Sequence, residues 1–119
     1  MEKSMALFLA TLLHSSTNAH FFHWATKSYA KHKALGGFYE RIIELTDELA
    51  EAYFGCYGQI TDFPATYHQP KEPLAYLQSL QAFVKDARND LPQDPQICQL
   101  IDNIAQEIDT TIYLLKFKA

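Results

Sequence analysis

The chain has 119 residues, 48% of them hydrophobic and 20% charged, which suits a single globular domain with a core of its own and excludes a disordered or collagen-like chain. The formal net charge is −4 and the Lys and Arg residues are scattered, so no basic stripe is available to track phosphates and no nucleic acid partner is expected. Cys56 and Cys98 sit far apart and outside any CxxC, as in a protein of a reducing, cytoplasmic compartment with thiols rather than a disulfide framework.

A first helix is predicted over residues 4–29. Met5, Leu9, Leu12, Leu13, Ser16, His20 and His23 fall within a sector of about 100° when residues are placed at helical spacing, and Phe8, Phe22 and Trp24 widen that apolar face. The apolar run after Lys3 is similar to the core of a secretory leader. Glu2 cancels Lys3, however, and the periodicity continues beyond the poor cleavage site Thr17-Asn18-Ala19, so the segment reads as helix. No apolar run reaches the length needed to span a bilayer, and no membrane partner is expected. The helical register is expected to break in SYAKHKALGG, with Gly36-Gly37 seeding or loosening the start of the next helix.

The second helix is predicted over 35–57, with Leu35, Phe38, Ile42, Leu45, Leu49, Ala52 and Tyr53 as its core stripe. Nearly opposite, Glu40, Glu44, Asp47 and Glu51 fall within about 60° of one another, which taken alone is a solvated acidic face. Beside them Tyr39, Ile43, Ala50 and Phe54 form a second apolar ridge, and a helix with two such ridges usually has a second partner, so a homodimer through helix 2 is expected. Glycines and prolines punctuate 58–73, which should be an irregular connection, and its His68 is expected at the surface, outside any site. Pro73 suits the first turn of a third helix over 73–91. Asp94 and Pro95 suit the cap and first position of a fourth over 95–117, with Ile97, Leu100, Ile101, Ile104, Ala105, Ile108, Ile112 and Leu115 inward and Lys116 and Lys118 at its carboxyl end. The expected fold is all-α, an antiparallel four-helix bundle with 58–73 as its crossover.

Three of the five histidines and the acidic row lie between His20 and Glu51. Imidazoles and carboxylates projecting from neighbouring helices toward one point are how helical bundles hold transition metals, so His20, His23, His32, Asp47 and Glu51 are the candidate metal ligands. The competing reading is hydrogen-bonded core histidines beside a solvated acidic face. Nucleophilic catalysis has no comparable signal, since neither a GxSxG nor a phosphate-cradling glycine loop occurs.

The spacing of His20, His32, Asp47 and Glu51 resembles the iron-oxidising constellation of the mini-ferritins, the Dps branch of the ferritin-like superfamily, and TDELAEA resembles their Asp-x-x-x-Glu segment. The resemblance implies a ferritin-like fold. It also implies iron, with manganese or zinc as alternatives, held between two histidines of one subunit and the Asp and Glu of its two-fold mate, with oxygen or peroxide as oxidant. Two departures accompany it. Gly36 stands where mini-ferritins carry a further acidic residue, and their His-Trp pair matches His23-Trp24, so either His20 or His23 could be the ligand from the first helix. The chain is shorter than a mini-ferritin and carries no basic tail, so the hollow dodecamer and DNA binding are not expected. HWATKSYAKHKAL and the segment that follows are also similar to small ferritin-like proteins of unknown function from phage genomes, which leaves a metal-free scaffold or interaction module as the alternative.

Overall fold

The computed structural model describes every residue except Thr66, Lys118 and Ala119. Its regular structure is helical: α1 (Glu2–Ala25), α2 (Tyr29–Tyr57), α3 (Pro73–Ala87) and α4 (Pro95–Leu115), with a single 3-10 turn at Arg88–Asp90. α1 packs on α2 and α3, and α4 packs on the same two helices. One apolar core joins all four: Met5, Phe8 and Leu12 from α1, Phe38, Ile42 and Leu49 from α2, Leu77 and Val84 from α3, and Ile97, Ile101, Ile104 and Ile108 from α4. No helix of the described residues is long and apolar enough to cross a membrane.

The ends of the helices follow local chemistry. α1 stops at Ala25, where Thr26 turns extended, and Ser28, also extended, starts α2 by accepting a hydrogen bond on its Oγ from the Lys31 N–H at 3.2 Å. The break therefore falls at Thr26–Ser28 rather than in the 30–35 stretch, and Gly36 and Gly37 lie inside α2. A serine cap outweighs two helix-weakening glycines because flanking residues and tertiary packing hold the helix across them. α2 ends at Gly58, whose φ of 101° is open to glycine and strained for other residues. Apart from a bend, the described residues of the 58–72 connection carry no regular structure, as expected, and buried Ile60 anchors it.

Glu72 caps α3, accepting from the Leu74 and Ala75 N–H groups at 3.1 and 2.6 Å, and Pro73 takes the first helical position. α3 gives way to the 3-10 turn after Ala87, short of the expected Leu91. Asp94 holds the cap position of α4, yet its carboxylate caps nothing: Oδ1 accepts the Tyr57 hydroxyl instead and ties the end of α2 to the start of α4. α4 ends at Leu115 with Lys116 as its last cap, while Lys118 lies outside the described residues. Leu13, expected in the core stripe of α1, points outward, and Phe8 and Ala19 take the interior. α1 is apolar on most sides, so its sequence alone does not single out the inward face.

Candidate metal site at the α1–α2 hairpin

The tight link Thr26-Lys27-Ser28 folds α2 back along α1, and this turn decides which histidines meet. His23 in the last turn of α1 and His32 in the first turn of α2 stack face to face, ring centroids 3.7 Å apart and planes 19° from parallel. They bond reciprocally: His23 Nδ1 lies 2.6 Å from the His32 backbone oxygen and His32 Nδ1 lies 2.8 Å from the His23 backbone oxygen. A carbonyl only accepts, so each Nδ1 carries a proton and donates, and in the neutral ring Nε2 is the nitrogen with the lone pair. The carbonyl of His23 is among those that the end of α1 leaves without an intrahelical partner, so His32 also serves as a side-chain cap.

Gly36, one turn after His32, makes room for this pair. A Cβ at that position would stand 3.0 Å from Cε1 and 3.1 Å from Nδ1 of His23. The His23 ring thus fills the space in which any side chain at position 36 would begin. His20 lies one turn back on α1, stacked on Tyr39 at 4.0 Å and 8°, with Trp24 at 4.5 Å and the His23 ring 6.2 Å away. Of the two α1 candidates, His23 stands against His32 and His20 is packed among aromatic rings.

The carboxylates are elsewhere. Glu40, Glu44, Asp47 and Glu51 are all exposed along α2, and Arg41 pairs with Glu44 at 3.2 Å. At a rise of about 1.5 Å per residue, Asp47 lies roughly 22 Å and Glu51 roughly 28 Å along the axis from His32, so one chain cannot bring them to its own imidazoles. Among the described residues, no three His, Cys, Asp or Glu side chains gather closely enough to hold an ion. The ridge expected to face a partner is partly used within the chain: Tyr39 lies under His20, Phe54 and Ala50 pack against the core, and Ile43 remains exposed.

His14 was part of no expected site. It meets Tyr67 of the connection edge-on at 5.1 Å, a contact between residues so distant in sequence that no spacing signal could announce it. His68 is exposed, as expected.

A model for a family of unknown function, DUF5856, matches residues 23–115. The chain belongs to that family. The match to this DUF5856 chain begins at His23, so it includes His32, Asp47 and Glu51 and leaves out His20. The chain is also similar to an uncharacterized 14.6 kDa protein of the mobD-ri intergenic region of Enterobacteria phage T4, with 26% identity over 113 residues, 93% of this chain and 87% of the relative. No solved structure matches.

Proposed function

We propose that this DUF5856 protein is a ferritin-like antiparallel four-helix bundle that binds divalent iron, or manganese or zinc in its place, at sites completed by a second copy. The order of contacts supports the fold. Ser16 bonds the Tyr39 carbonyl while His23 meets His32, Phe8 meets Phe83 while Phe22 meets Tyr76, and Gln81 bonds Asp109 while Arg88 bonds Asp102. Tyr57 meets Asp94, and Ala34 and Leu114 line one small pocket. Each neighbouring pair therefore runs in opposite senses, α2 and α3 run in the same sense, and residues 58–72 cross the length of the bundle, as the one long connection of a ferritin-like fold does.

One observation carries the metal reading: both imidazoles of the His23–His32 pair donate Nδ1–H to a backbone carbonyl and leave Nε2 as the coordinating atom, the outer-shell arrangement that fixes metal-binding histidines. Lone pairs lie in the ring planes, so rings stacked at 3.7 Å suit an ion apiece rather than one ion shared. Asp47 and Glu51 of a second copy would supply hard oxygen ligands, and the acid missing at Gly36 leaves the donor set one carboxylate short of a mini-ferritin. Iron held by such donors would supply the redox chemistry of a ferroxidase or peroxide-consuming site. Leu13 and Ile43, about one turn from the Ser16–Tyr39 bond on α1 and α2, are exposed apolar side chains for the two-fold contact.

The test is metal content of protein purified without an affinity tag and exposed to ferrous ion without oxygen. His32→Ala and Asp47→Ala should each lower the bound stoichiometry at unchanged helix content, and His68→Ala should not. Equal content in all four proteins overturns the assignment. A second reading, a metal-free ferritin-like scaffold or interaction module, is favoured by the structural employment of all three histidines, His20 on Tyr39 and His23 with His32. Absence of bound metal in the wild type, together with an intact dimer in sedimentation, would select it.

A further inference from the structure

A cavity of about 980 Å3 lies away from the histidine pair, between α1 and α3 and beneath Pro64, Tyr67, His68 and Pro70 of the connection. The ring pairs Phe8–Phe83 and Phe22–Tyr76, at 5.9 and 6.1 Å, tie α1 to α3 on either side of it. Its walls are mostly apolar, with Leu7 from α1 and Leu80 and Phe83 from α3 among the lining residues. Its polar groups converge from three elements: Asn18, 2% exposed, accepts the Tyr67 hydroxyl at 2.8 Å, and the Tyr67 ring abuts His14. Burial, only partly opposed by a hydrogen bond with Asn18, pushes the Tyr76 phenol up, which keeps its hydroxyl protonated.

The balance of charge tells the ligand's sign. Among the described lining residues Glu72 is the one carboxylate, and it accepts from the Leu74 and Ala75 N–H groups at the start of α3, where the positive end of the helix offsets part of its charge. Lys71, the one Lys or Arg among the described lining residues, is then the charge that the helix end leaves least offset, and the imidazoles of His14 and His68 stand on the same cavity. An apolar slot of ligand size with a few convergent polar groups is the usual form of a small-molecule site. We propose that the α1–α3 cleft binds a small amphipathic anion, its flat apolar body between Leu7 and Phe83 and its carboxylate or sulfonate toward Lys71.

The probe is 1-anilinonaphthalene-8-sulfonate, followed by fluorescence on the full chain, with N-phenyl-1-naphthylamine as its uncharged counterpart. The sulfonate should bind saturably at one site per chain. Ser79→Trp, a substitution at an exposed position that lines the cleft, should weaken both probes about tenfold or more at wild-type helix content. Lys71→Glu should weaken the sulfonate several-fold and leave the uncharged probe unchanged. Unsaturable binding, or full affinity in Ser79→Trp, overturns the site. Equal weakening of both probes by Lys71→Glu overturns the preference for an anion.

Discussion

His23 and His32 each donate a hydrogen bond from Nδ1 to the other's backbone carbonyl, at 2.6 and 2.8 Å, while their rings stack at 3.7 Å. The pair closes the α1–α2 hairpin immediately beside its turn, so its contribution to stability can be measured apart from any metal. A neutral hydrogen bond contributes about 0.5–1.5 kcal/mol and a stacked ring pair a similar amount. In metal-free buffer His23→Ala and His32→Ala should each destabilise by about 1–3 kcal/mol. The double variant should fall short of the sum by roughly the shared stacking energy. Denaturant unfolding checks this, and single variants no weaker than His68→Ala would show that the clasp is energetically idle.

Gly36 and Gly37 separate helix propensity from space. Nothing lies within 4 Å of a Cβ at Gly37, so Gly37→Ala should stabilise by up to about 1 kcal/mol, the usual gain over glycine in a helix interior. Gly36→Ala gains the same propensity but presses its Cβ on the His23 ring at 3.0 Å and loosens the 2.6 Å bond. It should be less stable than Gly37→Ala by about 1 kcal/mol. In a His23→Ala background the two alanines should become equivalent, and a persistent difference there would place the strain somewhere other than the imidazole.

What the sequence made legible follows from how strongly each helix is patterned. α4 presents isoleucines on one face and charges on the others, and Ile97, Ile101, Ile104, Ile108 and Ile112 are all buried as the spacing predicts. α2 is nearly as clear. α1 is apolar around most of its circumference, so the placement of Leu13 outside and Phe8 inside was decided by its neighbours rather than by its own period. The turn at Thr26–Ser28 is held by two hydroxyls, Thr26 Oγ1 accepting from the Ser28 N–H and Ser28 Oγ from the Lys31 N–H, a weaker signal than two adjacent glycines, and the pairing of His23 with His32 follows from that turn. Candidate ligands on α1 and α2 were visible from residue type and spacing. That His23 rather than His20 stands against His32 needed the register of two helices, and the cleft at His14 and Tyr67 needed a tertiary contact with the connection.

Tyr57 gives a pH-dependent handle on the join between α2 and α4. Its hydrogen bond to the Asp94 carboxylate, first among several causes, pushes the phenol from its ordinary value of 10.0 up to about 12. A folded-state pKa above the unfolded one means that the contribution to stability is complete below about 10 and is lost as pH rises toward about 12. Asp94→Asn should bring one phenol back toward the ordinary range in a tyrosinate absorbance titration. It should also remove that segment of the alkaline stability loss, whereas superimposable titrations would mean that the bond does not persist in solution.

The acidic row on α2 links charge, stability and metal. Glu40, Glu44, Asp47 and Glu51 recur at three- and four-residue steps on an exposed face, and Arg41 offsets only Glu44, at 3.2 Å. Each like-charge neighbour costs a helix about 0.2–0.5 kcal/mol, and Asp47→Asn with Glu51→Gln relieves at least two such pairs. The metal-free double variant should therefore be more stable than wild type by roughly 0.4–1 kcal/mol, less in high salt, where exposed charges are screened. A ligand that binds only the folded state stabilises by RT ln(1 + [L]/Kd), about 2.7 kcal/mol at a hundredfold excess over Kd. Ferrous, manganous or zinc ion should thus raise the Tm of the wild type and leave the double variant unmoved. If the neutralised protein is instead the less stable one without metal, and metal shifts neither, then Asp47 and Glu51 make structural hydrogen bonds and the protein is a helical scaffold without a metal site.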